Sequence, residues 1–193
     1  MITPITATVK TQLKDIRCLI CDVDGVLTTG ALFYSDQGDA FKVFNAKDGL
    51  GLKILSECGI TLAVITGSNS QAIRSRLTPL GAKYIYQGCD HKQKAFEDLK
   101  TQTGFTNAQF AYIGDDWPDI PIMRQVGFAA APCNAVGPTQ SVAHFITQAK
   151  GGEGAVRELC ELLCLTLHPE KLQDICQTFG LTLKDLAAPH AIS

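Results

Sequence analysis

Apolar residues along this chain fall into short continuous runs separated by longer stretches of helical spacing. The run Cys18-Leu19-Ile20-Cys21, inside a strand expected over 17–23, is too short for a helix and has no polar alternation. That reads as a strand buried on both faces. Runs at 60–65, 82–86, 109–113 and 128–131 read the same way, and Phe145 opens one further edge strand. Between them, 48–58, 70–80, 91–103, 118–126 and 154–167 carry helical patterns, the first stopped by Gly59. Segments 31–34 and 40–44 flank the polar stretch Ser35-Asp36-Gln37-Gly38-Asp39 and read as a β-hairpin.

Strands alternating with helices imply an α/β fold, a doubly wound parallel sheet covered on both faces. The hairpin breaks the alternation and so reads as a small insertion above the strand ends. From residue 168 to 193 the pattern becomes two short helices, 169–179 and 182–187, a C-terminal tail on a single domain whose core spans about 14–165.

Bulk numbers narrow the function classes. The chain has 193 residues, 46% hydrophobic and 19% charged, enough for one domain with a sizeable core. A net charge of −2 gives no electrostatic footprint for nucleic acid. Residues 1–14 lack the apolar centre of a signal peptide, and no run is long enough to span a bilayer. These features lead us to expect a cytoplasmic protein without a membrane partner. The eight cysteines read as buried free thiols. Cys18 and Cys21, three apart on a strand, face opposite sides and share neither a metal nor a disulfide.

Chemistry concentrates at strand ends. Asp22 and Asp24 follow the first strand; Thr66-Gly67-Ser68 follows 60–65; Lys92 opens the helix after 82–86; Gly114-Asp115-Asp116 follows 109–113, with Asp119 beyond. In an open α/β sheet the carboxyl ends of the strands converge on the ligand edge. Paired carboxylates there repel unless a cation or a shared proton offsets them. Mg²⁺, which takes oxygen ligands, is the natural offset. The set suits phosphate-monoester hydrolysis, with Asp22 as nucleophile forming an aspartyl-phosphate and Asp24 as general acid and then base. Asp22 and Asp115 with one backbone carbonyl would hold Mg²⁺, and Asp24 completes the expected metal set. Lys92 and Thr66 would bind phosphate, with Asp119, and Asp116 as helix N-cap, in support.

These four pieces, Asp-Val-Asp-Gly-Val-Leu-Thr, Ile-Thr-Gly, the helix-opening lysine and Gly-Asp-Asp-x-x-Asp, resemble the motifs of the haloacid dehalogenase superfamily, phosphatase branch. Residues 44–51 (Phe-Asn-Ala-Lys-Asp-Gly-Leu-Gly), Tyr86-Gln87-Gly88 and the Gly151-Gly152-Glu153-Gly154 segment are similar to its 3-deoxy-D-manno-octulosonate 8-phosphate phosphatase family. The resemblance implies no large cap domain and a homotetramer in which the hairpin packs against neighbouring subunits. It also implies that the Gly-rich segment of one subunit closes the site of the next. By position it makes Asn45, Ala46, Lys47, Asp48, Gly49, Lys53, Gly67, Ser68 and Arg76 substrate contacts, with Asp24 and Lys92. A sugar-acid phosphate carries a carboxylate as well as a phosphate, which suits Lys47, Lys53 and Arg76. The family shows arginine where this chain has Ser68, Glu153 and Lys47. Arginine grips a carboxylate or phosphate with two donors and the replacements do not. A nine-carbon nonulosonate (sialic-type) 9-phosphate therefore stays open as the alternative substrate. A receiver-like signalling module is the distant one, because a receiver lacks an aspartate two residues after its phosphorylated aspartate. A catalytically silent scaffold is disfavoured by the intact carboxylate set, which without cation and phosphate only destabilises a fold.

Overall fold

The computed structural model describes residues 11–36 and 40–187. Strands β1 (Cys18–Cys21), β4 (Thr61–Ile65), β5 (Ala82–Tyr86), β6 (Phe110–Ile113), β7 (Phe128–Ala131) and β8 (Phe145–Ile146) form one sheet. Its order is β5-β4-β1-β6-β7-β8 and every pairing is parallel. The strand order reverses at β1, which lies between β4 and β6; that switch point is where an open α/β sheet leaves its ligand crevice.

Alternation along β1 divides the core. Leu19 and Cys21 join the cluster under α1 (Ala46–Glu57) and α6 (Ala155–Leu167). Cys18 and Ile20 join the opposite cluster under α3 (Lys92–Thr103) and the short α4 (Ile120–Met123). The two thiols of that strand thus face away from each other, as a period of two requires. Six of the eight cysteines are buried, Cys89 is half-buried and Cys133, against expectation, is exposed.

Element boundaries shift for local reasons. β1 stops at Cys21 because Val23 O gathers the N–H groups of Leu27 (2.8 Å) and Thr28 (3.0 Å) and closes the following residues into a loop. α2 (Gln71–Leu77) passes into a 3-10 turn, Thr78–Leu80, that ends at left-handed Gly81. The helix expected over 118–126 splits into a 3-10 turn, Trp117–Asp119, and α4, with a proline in the first turn of each. One helical turn, α5 (Gly137–Gln140), was not expected from the sequence. The hairpin is a separate sheet of β2 (Phe33–Tyr34) and β3 (Ala40–Phe41), antiparallel; residues 37–39 of its expected turn lie outside the described residues. The tail forms α7 (Pro169–Thr178) and α8 (Leu183–Ala187). Leu172 and Cys176 are buried in the cluster under α1 and α6, and Lys171 Nζ donates to Cys58 O at 3.0 Å. Residues 188–193, the end of the expected tail, lie outside the described residues, as does most of 1–14.

Candidate active site

The backbone fixes the carboxylates before any side chain meets another. Asp22 N–H donates to Ile113 O at 3.0 Å, which ties the end of β1 to the end of β6. Gly25 then takes φ +82°, and a Cβ there would overlap the Asp115 carboxylate. Only glycine lets the loop after β1 approach Asp115 this closely. Beyond β6, the N–H groups of Asp115 and Asp116 donate to Asp119 Oδ2 at 3.0 and 3.3 Å. Asp116 caps the 3-10 turn, accepting from Trp117 N–H at 2.7 Å, as its N-cap reading required.

Lys92, first residue of α3, reaches two of these carboxylates. Its Nζ lies 2.9 Å from Asp22 Oδ2 and 2.6 Å from Asp119 Oδ1. Tyr112 O–H donates to the same Asp119 oxygen at 2.6 Å. Carboxylate oxygens of Asp22, Asp115 and Asp119 lie within 4.8 Å of one another. Burial first, and then Asp119, push the Asp22 carboxyl up to about 6. Burial, Asp22 and Asp119 push Asp115 up to about 7. Burial alone would lower Lys92, but Asp22 and Asp119 outweigh it and hold the ammonium above its ordinary range.

Thr66, at the end of β4, is buried, and its Oγ1 accepts from Ser68 N–H at 3.1 Å. A cleft of about 390 Å³ gathers Asp22, Asp24, Thr66, Gly67, Ser68, Lys92, Asp115, Asp116 and Asp119. Pro118 shares its wall, as do Cys89, Asp90 and Gly30, which sequence reasoning did not single out. Trp117 is exposed and does not line it. Asp24 differs from its neighbours: its carboxylate accepts two bonds from Lys42, at 2.6 and 2.8 Å, and does not join the cluster of three.

The expected substrate contacts divide. Gly67, Ser68, Asp24 and Lys92 face the cleft, whereas Asn45, Ala46, Lys47, Asp48, Gly49, Lys53 and Arg76 do not line it. Asn45 is the N-cap of α1, accepting from Lys47 N–H at 2.8 Å, and its Nδ2 donates to Gly152 O at 3.0 Å. Asp48 packs inside its own chain. It is 1% exposed, and its Oδ1 accepts from Arg157 N–H at 2.8 Å, so it caps α6 from inside. Within this chain it is closed to substrate. Burial raises its carboxyl against the lowering effect of the backbone N–H groups of Arg157, Gly154 and Val156. Arg76 packs its guanidinium over Gly49. The Gly-rich segment lies against its own chain: Gly152 N–H donates to Val26 O at 2.8 Å, and Gly151 N–H to Asn134 Oδ1 at 2.9 Å. His91 takes the N-cap position of α3 without a side-chain capping bond.

The carboxylate cluster suits a divalent cation. Its donors are all oxygen, as Mg²⁺ prefers. Burial first, and then the neighbouring carboxylates, keep the Asp22 and Asp115 carboxyls raised despite Lys92, so a cation there would relieve part of the cost. Asp119 already accepts from Lys92, Tyr112 and two backbone N–H groups. That leaves Asp22 and Asp115 to face the ion. With its carboxylate turned to Lys42, Asp24 does not bring it to the cluster.

No family model matches the chain. It is 40% identical over 162 residues to the 3-deoxy-D-manno-octulosonate 8-phosphate phosphatase KdsC of Yersinia pestis, covering 84% of this chain and 87% of that protein. The crystal structure of the Moraxella catarrhalis phosphatase, in complex with magnesium, phosphate and a KDO molecule, superposes with a TM-score of 0.85 at 38% identity. That match covers 89% of this chain and 98% of the other. The cobalt-bound Haemophilus influenzae phosphatase gives a TM-score of 0.81 at 37% identity, over 88% of this chain and 99% of that one. Shared over nearly their full length, sequence and fold place this chain in the 3-deoxy-D-manno-octulosonate 8-phosphate phosphatase family of the haloacid dehalogenase superfamily.

Proposed function

We propose that this protein hydrolyses 3-deoxy-D-manno-octulosonate 8-phosphate to the free sugar acid and phosphate, with Mg²⁺, as a step in lipopolysaccharide precursor synthesis. The observation that carries the reading is the cleft in which Asp22, Asp115 and Asp119 crowd within 4.8 Å beside Lys92. It lies in a fold whose Moraxella relative binds magnesium, phosphate and the sugar acid.

Asp22, fixed at the strand end, attacks phosphorus while the bond from phosphorus to the sugar oxygen breaks. Asp24 gives the departing alkoxide its proton. A water then attacks the aspartyl-phosphate, Asp24 takes that water's proton, and inorganic phosphate leaves with Asp22 restored. Lys92, and Thr66 with neighbouring backbone N–H groups, offset and hold the phosphate oxygens. Asp22, Asp115 and the backbone carbonyl of Asp24 would hold Mg²⁺, which would supply charge neutralisation to the phosphate. Asp119 positions Lys92.

The homotetramer belongs to the same proposal. Leu32, Phe33, Tyr34, Phe41 and Val43 of the hairpin region are all exposed in the single chain, an apolar surface suited to a neighbouring subunit. Lys47, Lys53 and Arg76 lie off the cleft of their own chain, so assembly is what would bring their charge to a substrate carboxylate. No helix among the described residues is long and apolar enough to cross a membrane.

Phosphate release measured with Mg²⁺ across octulosonate 8-phosphate, a nonulosonate 9-phosphate, hexose phosphates and an aryl phosphate tests the reading. The octulosonate ester should give the highest kcat/KM. Ser68, which lines the cleft where the family carries arginine, is the feature that would favour the nine-carbon acid. A preference for that ester overturns the substrate and keeps the chemistry.

A further inference from the structure

Lys42 has no part in the four motifs, yet it makes the shortest contacts to Asp24. It follows β3, where successive side chains point to opposite sides. Phe41 and Val43 on either side are 66% and 62% exposed, while the Lys42 side chain is 8% exposed. The hairpin therefore turns apolar residues to solvent and a cation toward Asp24. A buried ammonium without a partner is costly, and Lys42 finds one with Nζ 2.6 and 2.8 Å from the two Asp24 oxygens. Thr28 Oγ1 adds a third donor, 3.3 Å from Oδ1, and is itself held by Gly30 N–H at 3.2 Å.

Two lysines thus divide the carboxylates between them. Lys92 takes Asp22 and Asp119, and Lys42 takes Asp24. Without Lys42 the Asp24 carboxylate would lose both of its ammonium contacts and keep only the Thr28 hydroxyl. We propose that Lys42, delivered by the inserted hairpin, is a positioning residue that holds the Asp24 carboxylate on the leaving-group side of the cleft and out of the metal cluster. This rests on the reading of Asp24 as the acid–base group and extends it to a residue outside the motifs. It also gives the hairpin a part in the chemistry, because whatever fixes the hairpin fixes the acid.

The test uses the Mg²⁺-loaded full chain, two esters and two variants. A sugar-acid or other primary alkyl phosphate needs its leaving oxygen protonated, whereas 4-nitrophenolate departs without a proton. General acid catalysis supplies about 10²–10⁴-fold. Lys42→Met keeps the stem and removes the charge. It should lower the single-turnover rate of leaving-group release from the alkyl ester at least roughly tenfold more than that from 4-nitrophenyl phosphate, a selective loss within that range that excludes the later hydrolytic step common to both esters. Lys42→Arg should recover most of the alkyl-ester release rate. Thermal unfolding reports whether each variant folds, and Lys42→Gln replaces the Met variant if it does not. Equal losses on both esters, or a loss confined to KM, overturn the positioning role while leaving the proposed function in place. A wild-type protein that hydrolyses neither ester overturns the functional reading and this inference with it.

Discussion

At the scale of single residues, the partners of a buried carboxylate separate the two aspartates that burial alone would not. Asp22 and Asp48 are both buried aspartates. Asp22 meets Lys92 and other carboxylates, and Asp48 meets backbone N–H groups at the start of α6. The first arrangement leaves charge to be offset by a ligand; the second holds Oδ1 and leaves Oδ2 buried without a hydrogen-bond partner. Asp22→Asn should therefore cut phosphate release by at least roughly a thousandfold while the chain still folds, as judged by circular dichroism. Turnover near wild type would remove Asp22 as nucleophile. The residues now grouped around Lys92 were legible because motif spacing places each at a strand end. Tyr112 and Lys42 were not read. A tyrosine in the apolar run Phe110-Ala111-Tyr112-Ile113 did carry a signal, since a buried hydroxyl needs a partner, and it finds Asp119. Lys42 reads from sequence as a charged edge-strand residue, a common guard against sheet pairing. The bond from Arg157 N–H to Asp48 was not legible because the two residues lie 109 positions apart, beyond any local pattern.

At the scale of elements, the loop after β1 is held from below by the Gly-rich segment before α6. The resemblance implied that this segment serves a neighbouring subunit. In this chain it is packed on its own: a Cβ at Gly151 would overlap the Gly25 carbonyl, and one at Gly152 would crowd the backbone of Thr28. Gly151→Ala should thus push on the loop that carries Asp22 and Asp24. Overpacking of this kind costs about 1–3 kcal/mol, which lowers Tm by about 2–4 °C per kcal/mol at this chain length. The kcat should fall with it. An unchanged Tm and kcat would show that the segment moves freely and would favour the neighbour-closing role. The sheet, its helices and their order were legible because buried strands and amphipathic helices differ in period. The splitting of 118–126 and the turn at 137–140 were not, since prolines in first turns permit one long helix or two short ones equally.

For the whole molecule, the active site is a liability until a cation fills it. The Asp22 carboxyl lies near 6 and that of Asp115 near 7 in the folded, metal-free chain. Unfolded, both return to about 4. Between about pH 4 and 7 the folded state therefore binds more protons than the unfolded state. Stability of the metal-free protein falls as pH rises through that window, the reverse of an aspartate whose carboxyl is lowered by folding. Lys92, raised rather than lowered, stays charged throughout and does not cancel the trend. Mg²⁺ competes with those protons for the same oxygens, so it should stabilise more where they are absent. Thermal unfolding in Mg²⁺ against chelator should give a larger rise in Tm at pH 8 than at pH 5, and Asp115→Asn should shrink that rise at pH 8. An equal rise at both pH values, or none at either, would mean that the crowded carboxylates are not where the cation binds.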